Sequence, residues 1–332
     1  IHAAGEFKTK PTQHSVKQLQ EAGIQPDILV LRTEQALQKD ILAKVAQFCN
    51  VAPDAVIQSI DMPTIYEIPL LLRDQKMDEA VLRKVGIEPG PRPEMKAWCA
   101  FVEKLKSAHE EVSIALVGKY VELQDAYKSI DESLLQSCTY NDKKLRLTSI
   151  QSEHITEENV AELLSGFDGV LIAPGFGQRG VEGKLVALKY TREKGIPTLG
   201  ICLGMQCMAI EFARNVLGLT DANTAEIAPA SKNRVIDIME QQKTVTDLGG
   251  SMRLGAYTCR LKPGSKISEA YGKTMISERH RHRYEFNGEY REAFENNGFH
   301  CVGENPETNL VEALELEGHP WYIGVQYHPE YN

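Results

Sequence analysis

The sequence predicts an α/β protein of two domains, the second built on a doubly wound parallel sheet. Three observations predict it. Short apolar runs alternate with helical segments through most of the 332 residues. A Pro/Gly-rich stretch, Gly86-Ile-Glu-Pro-Gly-Pro-Arg-Pro93, breaks that alternation. Beyond the break, two apolar runs end in glycine-rich turns, LIAPGFGQRGVEG (171–183) and LGICLGMQ (199–206).

The elements follow in order. Residues 13–23 (QHSVKQLQEAG) read as a short helix stopped by Gly23, and Asp27-Ile-Leu-Val-Leu31 reads as a strand. A helix over Lys39–Cys49 and an apolar stretch over Ala55–Ile60 continue the pattern of a parallel sheet. Residues 64–85 read as mostly helical, up to the break at 86–93. An amphipathic helix over about 94–108 then carries Trp98, Phe101, Val102 and Leu105 at helical spacing. The domain boundary is placed near Ala108–Glu111, giving domains of 1–108 and 109–332. A second series opens with strand Val112–Val117, a helix over 126–138, a strand over 145–151 and a helix near 156–165. Strand Gly169–Ala173, a helix over 183–194 and a strand over 197–201 complete it. From about residue 225 the pattern turns to strands and loops, closing on a strand over 321–327.

Composition limits the function. The 42% hydrophobic and 25% charged content is that of an ordinary globular protein. A net charge of −9 argues against a nucleic-acid partner while leaving room for a small anionic ligand. No apolar run approaches the roughly 20 residues needed to span a bilayer, and no signal peptide is visible, so no membrane partner is expected. Seven cysteines without a CxxC pair fit a reducing, cytoplasmic setting. Ile1 in place of Met, and a close just after an apolar run, predict a piece of a longer chain.

The sharpest chemical signal is Gly200-Ile-Cys-Leu-Gly204 between an apolar strand and a helix. With Ser for Cys it would be the nucleophile elbow of hydrolases, a tight turn whose small neighbours leave the nucleophile exposed at the sheet's edge. The helix N-terminus behind Cys202 favours thiolate over thiol. Cys207 has no such turn and is read as packing. A thiol nucleophile needs a base, and Tyr327-His-Pro-Glu330 supplies one. In an extended segment His328 and Glu330 share a side, so the carboxylate can orient the imidazole.

Acyl transfer also needs backbone N–H groups aimed at the developing oxyanion. Leu203, just after the nucleophile, offers one. Pro174-Gly-Phe-Gly177, at the end of a strand expected beside 197–201, offers another. Gly175-x-Gly177-x-x-Gly180 has the spacing of a dinucleotide turn, but the next strand ends in Cys202 instead of a ribose-binding acid. A backbone hook for acyl chemistry is therefore the better reading of this loop. KTKPTQ (8–13) sets two lysines about a helix start, which suits a phosphate group, although a solvated basic turn would look the same. RHRHRYE (279–285) alone reads as a charged loop, and its flanking arginines speak against a metal on His280 and His282, so no metal site is expected.

The GICLGMQ cysteine, the glycine loop and the His-Pro-Glu together resemble the class I (triad) glutamine amidotransferases. With GEFKTKPTQHSV (5–16), Gly118-Lys-Tyr120, Asp125-Ala-Tyr-Lys-Ser129, GGSMRLG (249–255) and ERHRHRYE (278–285), essentially the whole chain resembles the CTP synthase family. The resemblance implies a flavodoxin-like glutaminase domain with an added β region. Before it would stand the C-terminal part of a P-loop-type α/β amidoligase domain. It implies ATP-dependent amination of UTP to CTP, using ammonia from glutamine hydrolysed by a Cys202–His328–Glu330 triad. Gln206, Glu226, Arg283 and the Phe176 region would hold glutamine, with Gly175 and Leu203 at the oxyanion. Lys8, Lys10, Gln13 and Lys44 would line the site for UTP and for CTP as feedback inhibitor. GTP would act as allosteric activator, and the assembly would be a homotetramer able to form filaments.

Two departures qualify this. No Gly-x-x-x-x-Gly-Lys-[Ser/Thr] loop is present; the resemblance implies that the ATP and Mg²⁺ sites lie mostly in an N-terminal part outside this sequence, and this chain alone is expected to keep only glutaminase chemistry. Ala173-Pro174 stands where many relatives have Pro-Gly; proline has no N–H, which leaves Gly175 as the loop's donor. A catalytically silent nucleotide-sensing or filament-forming role, and a different cysteine hydrolase on the same scaffold, are the alternatives.

Overall fold

Helix α1 (Lys10–Glu21) starts at a Lys-Pro pair, the proline pre-set for a first helical turn. It begins three residues earlier than expected because the lysine and proline join the helix. Two-residue strands β1 (His2–Ala3) and β2 (Glu6–Phe7) pair just before it. Strands β3 (Leu29–Thr33) and β4 (Val56–Ile60) run parallel, joined through α2 (Lys39–Cys49). Val16, Val45, Ala46, Cys49 and Val56 form the core under them. Helices α3 (Ile68–Asp74), α4 (Met77–Lys84) and α5 (Lys96–Ser107) follow. Trp98 of α5 donates its indole N–H to the Tyr66 carbonyl and packs on Tyr66 and Phe101.

The chain divides into two compact units, residues 1–107 and 108–332. The computed structural model describes residues 2–3, 6–123, 125–238 and 252–331. Gly5 of the GEFKTKPTQHSV stretch and residues 249–251 of GGSMRLG lie outside them.

The second unit centres on β5 (Glu111–Gly118), β6 (Lys144–Gln151), β7 (Gly169–Ile172) and β8 (Thr198–Ile201), with α6 (Lys128–Tyr140), α7 (Val160–Leu164) and α8 (Val181–Lys194) between them. All four strands are parallel, and β16 (Tyr322–Val325) extends the parallel set beside β8. The order β6-β5-β7-β8-β16 is the flavodoxin-like 2-1-3-4-5, which gathers ligands at the carboxyl ends of the strands. β7 is buried along its whole length, as a strand covered on both faces must be. Its residues alternate between two cores: Val170 and Ile172 join Leu188, Met208 and Phe212, while Leu171 joins Ile201, Ile323 and Val325.

The β-rich tail does not form a separate layer. β11 (Arg253–Leu261), β12 (Met275–His282), β14 (Phe299–Glu304) and β15 (Val311–Leu316) continue the same sheet antiparallel, in the order β12-β11-β14-β15-β16. A smaller sheet joins β9 (Asn223–Thr224), β10 (Arg234–Ile238) and β13 (Tyr284–Phe286). Two six-residue helices, α10 (Lys266–Tyr271) and α11 (Arg291–Asn296), interrupt what the sequence predicts as strands and loops. Each spans under two turns, too short for a helical period to register.

Arg279–His282 of RHRHR belong to a strand and not a loop, with Arg283 in a bend just after it. β12 alternates exposed and buried, which sends Glu278, His280 and His282 inward and Arg279 and Arg281 outward.

Candidate active site

β8 hands over to α9 (Leu203–Asn215) through Cys202 alone, which takes φ 52° and ψ −104°. A non-glycine residue held there costs on the order of 1–3 kcal/mol, which the surrounding packing must repay. The neighbours are small for a measurable reason. A Cβ on Gly204 would lie 2.3 Å from the Ile172 carbonyl oxygen, and one on Gly200 would lie 2.7 Å from Gly204. These two glycines let α9 cross β7 and β8 at backbone distance, with Cys202 at the crossing. Residues 203–213 of α9 are all buried, so the helix is a fixed base for the turn.

β16 runs in register with β8, Val325 opposite Ile201, and the Cys202 N–H donates to the Val325 carbonyl at 2.7 Å. Residues just past β16 therefore arrive beside Cys202. His328 Nδ1 and Glu330 Oε1 are 2.8 Å apart. They do not meet along an extended segment as expected. Pro329–Tyr331 is a 3-10 turn, closed by the Tyr331 N–H on the His328 carbonyl, and the proline's fixed φ favours that turn. The His328 N–H donates to the Arg279 carbonyl at 2.8 Å, so the RHRHR strand pins the backbone of this histidine. Burial alone would push His328 below its ordinary 6.5. Hydrogen bonding and charge from Cys202 and Glu330 outweigh it and raise the imidazole to about 9.

Cys202, His328 and Glu330 line one cavity of about 310 Å³ together with Gly175, Phe176 and Arg281. Gly175 is next to the helix start: a Cβ there would lie 3.6 Å from the Leu203 side chain and 3.2 Å from that of Lys119. Leu203 opens α9, where the first N–H groups have no acceptor within the helix. Two lysines to which the sequence reading gave no role hold this loop from either end. Lys184, wholly buried, donates from Nζ to the Ala173 carbonyl at 2.6 Å, and Lys119 donates to the Phe176 carbonyl. Burial lowers Lys184 to about 8. Their signal in the sequence is faint, since both lie in ordinary strand-end and helix contexts.

The remaining expected residues divide. Gln206 sits behind Cys202 on α9 and donates to the Tyr284 carbonyl and to Gln326. Glu226 accepts the Gly177 N–H at 3.0 Å, which ties it to the glycine loop. Arg283 keeps a buried Nε without a hydrogen-bond partner. Arg281, not Arg283, lines the cavity. Gln326, which the sequence reading missed, donates from Nε2 to Cys202 Sγ at 3.6 Å.

In the first unit Lys8 lines a separate cavity of about 310 Å³ with Thr9, Thr12, Arg32 and Thr33. Lys10 is the first residue of α1, and Gln13 donates to the Thr9 hydroxyl at 3.1 Å. Lys44 is exposed on α2. Among the described residues no helix is long and apolar enough to cross a membrane.

Comparison with known proteins gives the family and the fold. The model of the family "Glutamine amidotransferase class-I" matches residues 122–332, and that of "CTP synthase N-terminus" matches residues 1–87. The chain is 70% identical over 332 residues to a CTP synthase of Porphyromonas gingivalis and 60% identical to one of Bacteroides fragilis. In both cases the match covers 100% of this chain and 62% of the relative, so the chain spans under two thirds of their length. Among solved structures, the glutaminase domain of Trypanosoma brucei CTPS with bound acivicin superposes with a TM-score of 0.62 at 34% identity, covering 67% of this chain and 87% of that one.

Proposed function

The chain belongs to the CTP synthase family of class-I glutamine amidotransferases, and from that premise we propose that residues 108–332 hydrolyse glutamine to glutamate and ammonia. The observation that carries the proposal is Cys202 at the start of a buried helix, in one cavity with a hydrogen-bonded His328–Glu330 pair. Cys202 Sγ attacks the side-chain amide carbon of glutamine. The oxyanion that forms is met by the N–H groups of Gly175 and Leu203. His328, held protonated by Glu330 and the sulfur, gives its proton to the departing nitrogen, so ammonia leaves and a thioester remains. His328 then takes a proton from water, whose oxygen attacks the thioester carbon. Glutamate is released, the sulfur leaves as thiolate, and the imidazolium is restored. Glu226, tied to the glycine loop, and Arg281, in the cavity lining, offer opposite charges for the amino-acid end of the substrate, with Phe176 beside it.

In the full-length protein the ammonia would aminate UTP to CTP, a ligase step of pyrimidine synthesis with UTP or inhibitory CTP toward Lys8, Lys10, Gln13 and Lys44. That step needs ATP and Mg²⁺. Among the described residues no group of three or more His, Cys, Asp or Glu could hold a metal, and the sequence lacks a P-loop. The described residues do not fit that group.

Ammonia release from glutamine by the purified chain, with and without GTP, tests the reading. Cys202→Ala is expected to bring release to background. Activity surviving that substitution would remove Cys202 from the chemistry.

A further inference from the structure

The inward face of the RHRHR strand takes no part in the chemistry above, yet its hydrogen bonds run to the nucleophile. The Tyr284 carbonyl accepts from Gln206 Nε2 at 2.9 Å and from His282 Nδ1 at 3.1 Å. A carbonyl oxygen can only accept, so it fixes which end of Gln206 is the amide nitrogen and which ring nitrogen of His282 bears hydrogen. The second hydrogen of Gln206 Nε2 goes to Gln326 Oε1 at 3.2 Å. Gln326 is thereby turned so that its own Nε2 faces Cys202 Sγ at 3.6 Å. Gln326 is 0% exposed and Gln206 4%, so flipping Gln206 would bury oxygen against oxygen, and flipping Gln326 would bury nitrogen against nitrogen and oxygen against sulfur.

The lock continues behind His282. Its Nε2 accepts from His280 Nδ1 at 2.8 Å, and His280 Nε2 lies 3.3 Å from Glu312 Oε2, whose other oxygen is held by Arg253 at 2.7 Å. Burial next to Arg253 keeps both rings neutral, lowering them to about 2 and about 3. Each ring then has one donor and one acceptor: both Nδ1 atoms donate toward Tyr284, and His280 Nε2 is left as an acceptor without a hydrogen-bond partner beside Glu312. The register of β16 on β8 delivers Gln326 to the sulfur, because residue 326 follows Val325 as Cys202 follows Ile201.

We propose that Gln326 is a positioning residue for the nucleophile, its amide N–H held against Cys202 Sγ by Gln206 and the Tyr284 carbonyl, with His282 and His280 fixing that orientation from behind. The proposal rests on the reading of Cys202 as the nucleophile of glutamine hydrolysis. It also leaves Gln206 with only its Oε1, an acceptor, for a ligand.

The test uses Gln326→Met, Gln326→Glu and His282→Phe in the full chain. Three quantities are measured: kcat, KM for glutamine, and the rate of Cys202 alkylation by iodoacetamide read on the Cys202 peptide. Gln326→Met removes the donor at similar length and is expected to lower kcat about tenfold to a hundredfold, the size of losing a hydrogen bond to a charged group. KM should stay within roughly threefold, and alkylation should slow in step with kcat. Gln326→Glu sets an oxygen against the sulfur and should be worse on both. His282→Phe touches neither sulfur nor Gln326 and should move both the same way by less. If Gln326→Glu fails to fold, Gln326→Met, apolar at a wholly buried position, decides alone. Wild-type kcat and alkylation in Gln326→Met overturn the proposal, as does a rise in KM alone, which would put Gln326 in substrate binding. Glutamine hydrolysis surviving Cys202→Ala would instead overturn the reading of Cys202 as nucleophile beneath it.

Discussion

Gly204→Ala puts one methyl group between α9 and β7. The added carbon would stand 2.3 Å from the Ile172 carbonyl oxygen and 3.2 Å from its carbon. Reaching even the 3.0 Å floor of real Cβ contacts requires a withdrawal of 0.7 Å (3.0 − 2.3). The obstacle is strand backbone in mid-sheet, so the helix must do the moving. Overpacking of this kind costs about 3 kcal/mol at the upper end of its usual range. Alanine's better helix propensity returns about 1 kcal/mol, leaving a net loss of about 2 kcal/mol. Cys202 immediately precedes the helix and moves with it. A misplacement near 1 Å at the reacting atom costs about a hundredfold in rate. Glutaminase kcat/KM and urea unfolding, on Gly204→Ala and on Gly288→Ala as control, measure both effects. Nothing lies within 4 Å of a Cβ at Gly288, so that variant should stay within about 0.5 kcal/mol of wild type. If Gly204→Ala matched wild type in rate and stability, the argument that glycine permits the crossing would be refuted.

His328 binds its proton more tightly folded than unfolded, about 9 against 6.5. The stability it contributes is complete below pH 6.5 and is lost as pH rises toward 9, at roughly 1.4 kcal/mol per pH unit. Unfolding of wild type and His328→Asn across that window should converge as pH rises; parallel curves would contradict the assignment. Arg192 grips the wholly buried Glu211 through Nε and one terminal nitrogen, at 2.8 to 3.2 Å. Arg192→Met strands that carboxylate and should cost about 3–5 kcal/mol in urea unfolding, with part of the loss recovered in Arg192→Met/Glu211→Leu.

What the sequence made legible was local. Gly200-Ile-Cys-Leu-Gly204 marks its turn because strand, small residues and helix are consecutive, and the flavodoxin-like core follows from apolar runs alternating with helices. His328 and Glu330 could be paired because two residues separate them, although the turn that joins them is not the extended geometry expected. The Gly175-x-Gly177-x-x-Gly180 spacing was a coincidence of pattern. Gly177 and Gly180 take positive φ in a loop whose carbonyls are held by Lys119 and Lys184. Gln326 and its contact with Gln206 were not legible, because only the register of β16 on β8 makes residues 120 apart in sequence touch. The same holds for Arg253, His280 and Glu312, whose contacts cross strands far apart in the chain. A charged heptapeptide reads as a solvated loop until its period of two is laid against a buried face.

That period has a consequence at the boundary of the sheet. Among the described residues β12 ends the nine-strand order, the place where unpaired backbone groups invite a further strand from another chain. Here the Arg279 carbonyl is already occupied by the His328 N–H, and Arg279 and Arg281 line the outward face. A slip of one residue would drive both guanidinium groups toward Arg253 and expel the histidines. The strand is thus held to one alignment by charge more than by apolar burial, and it makes a poor template for aggregation.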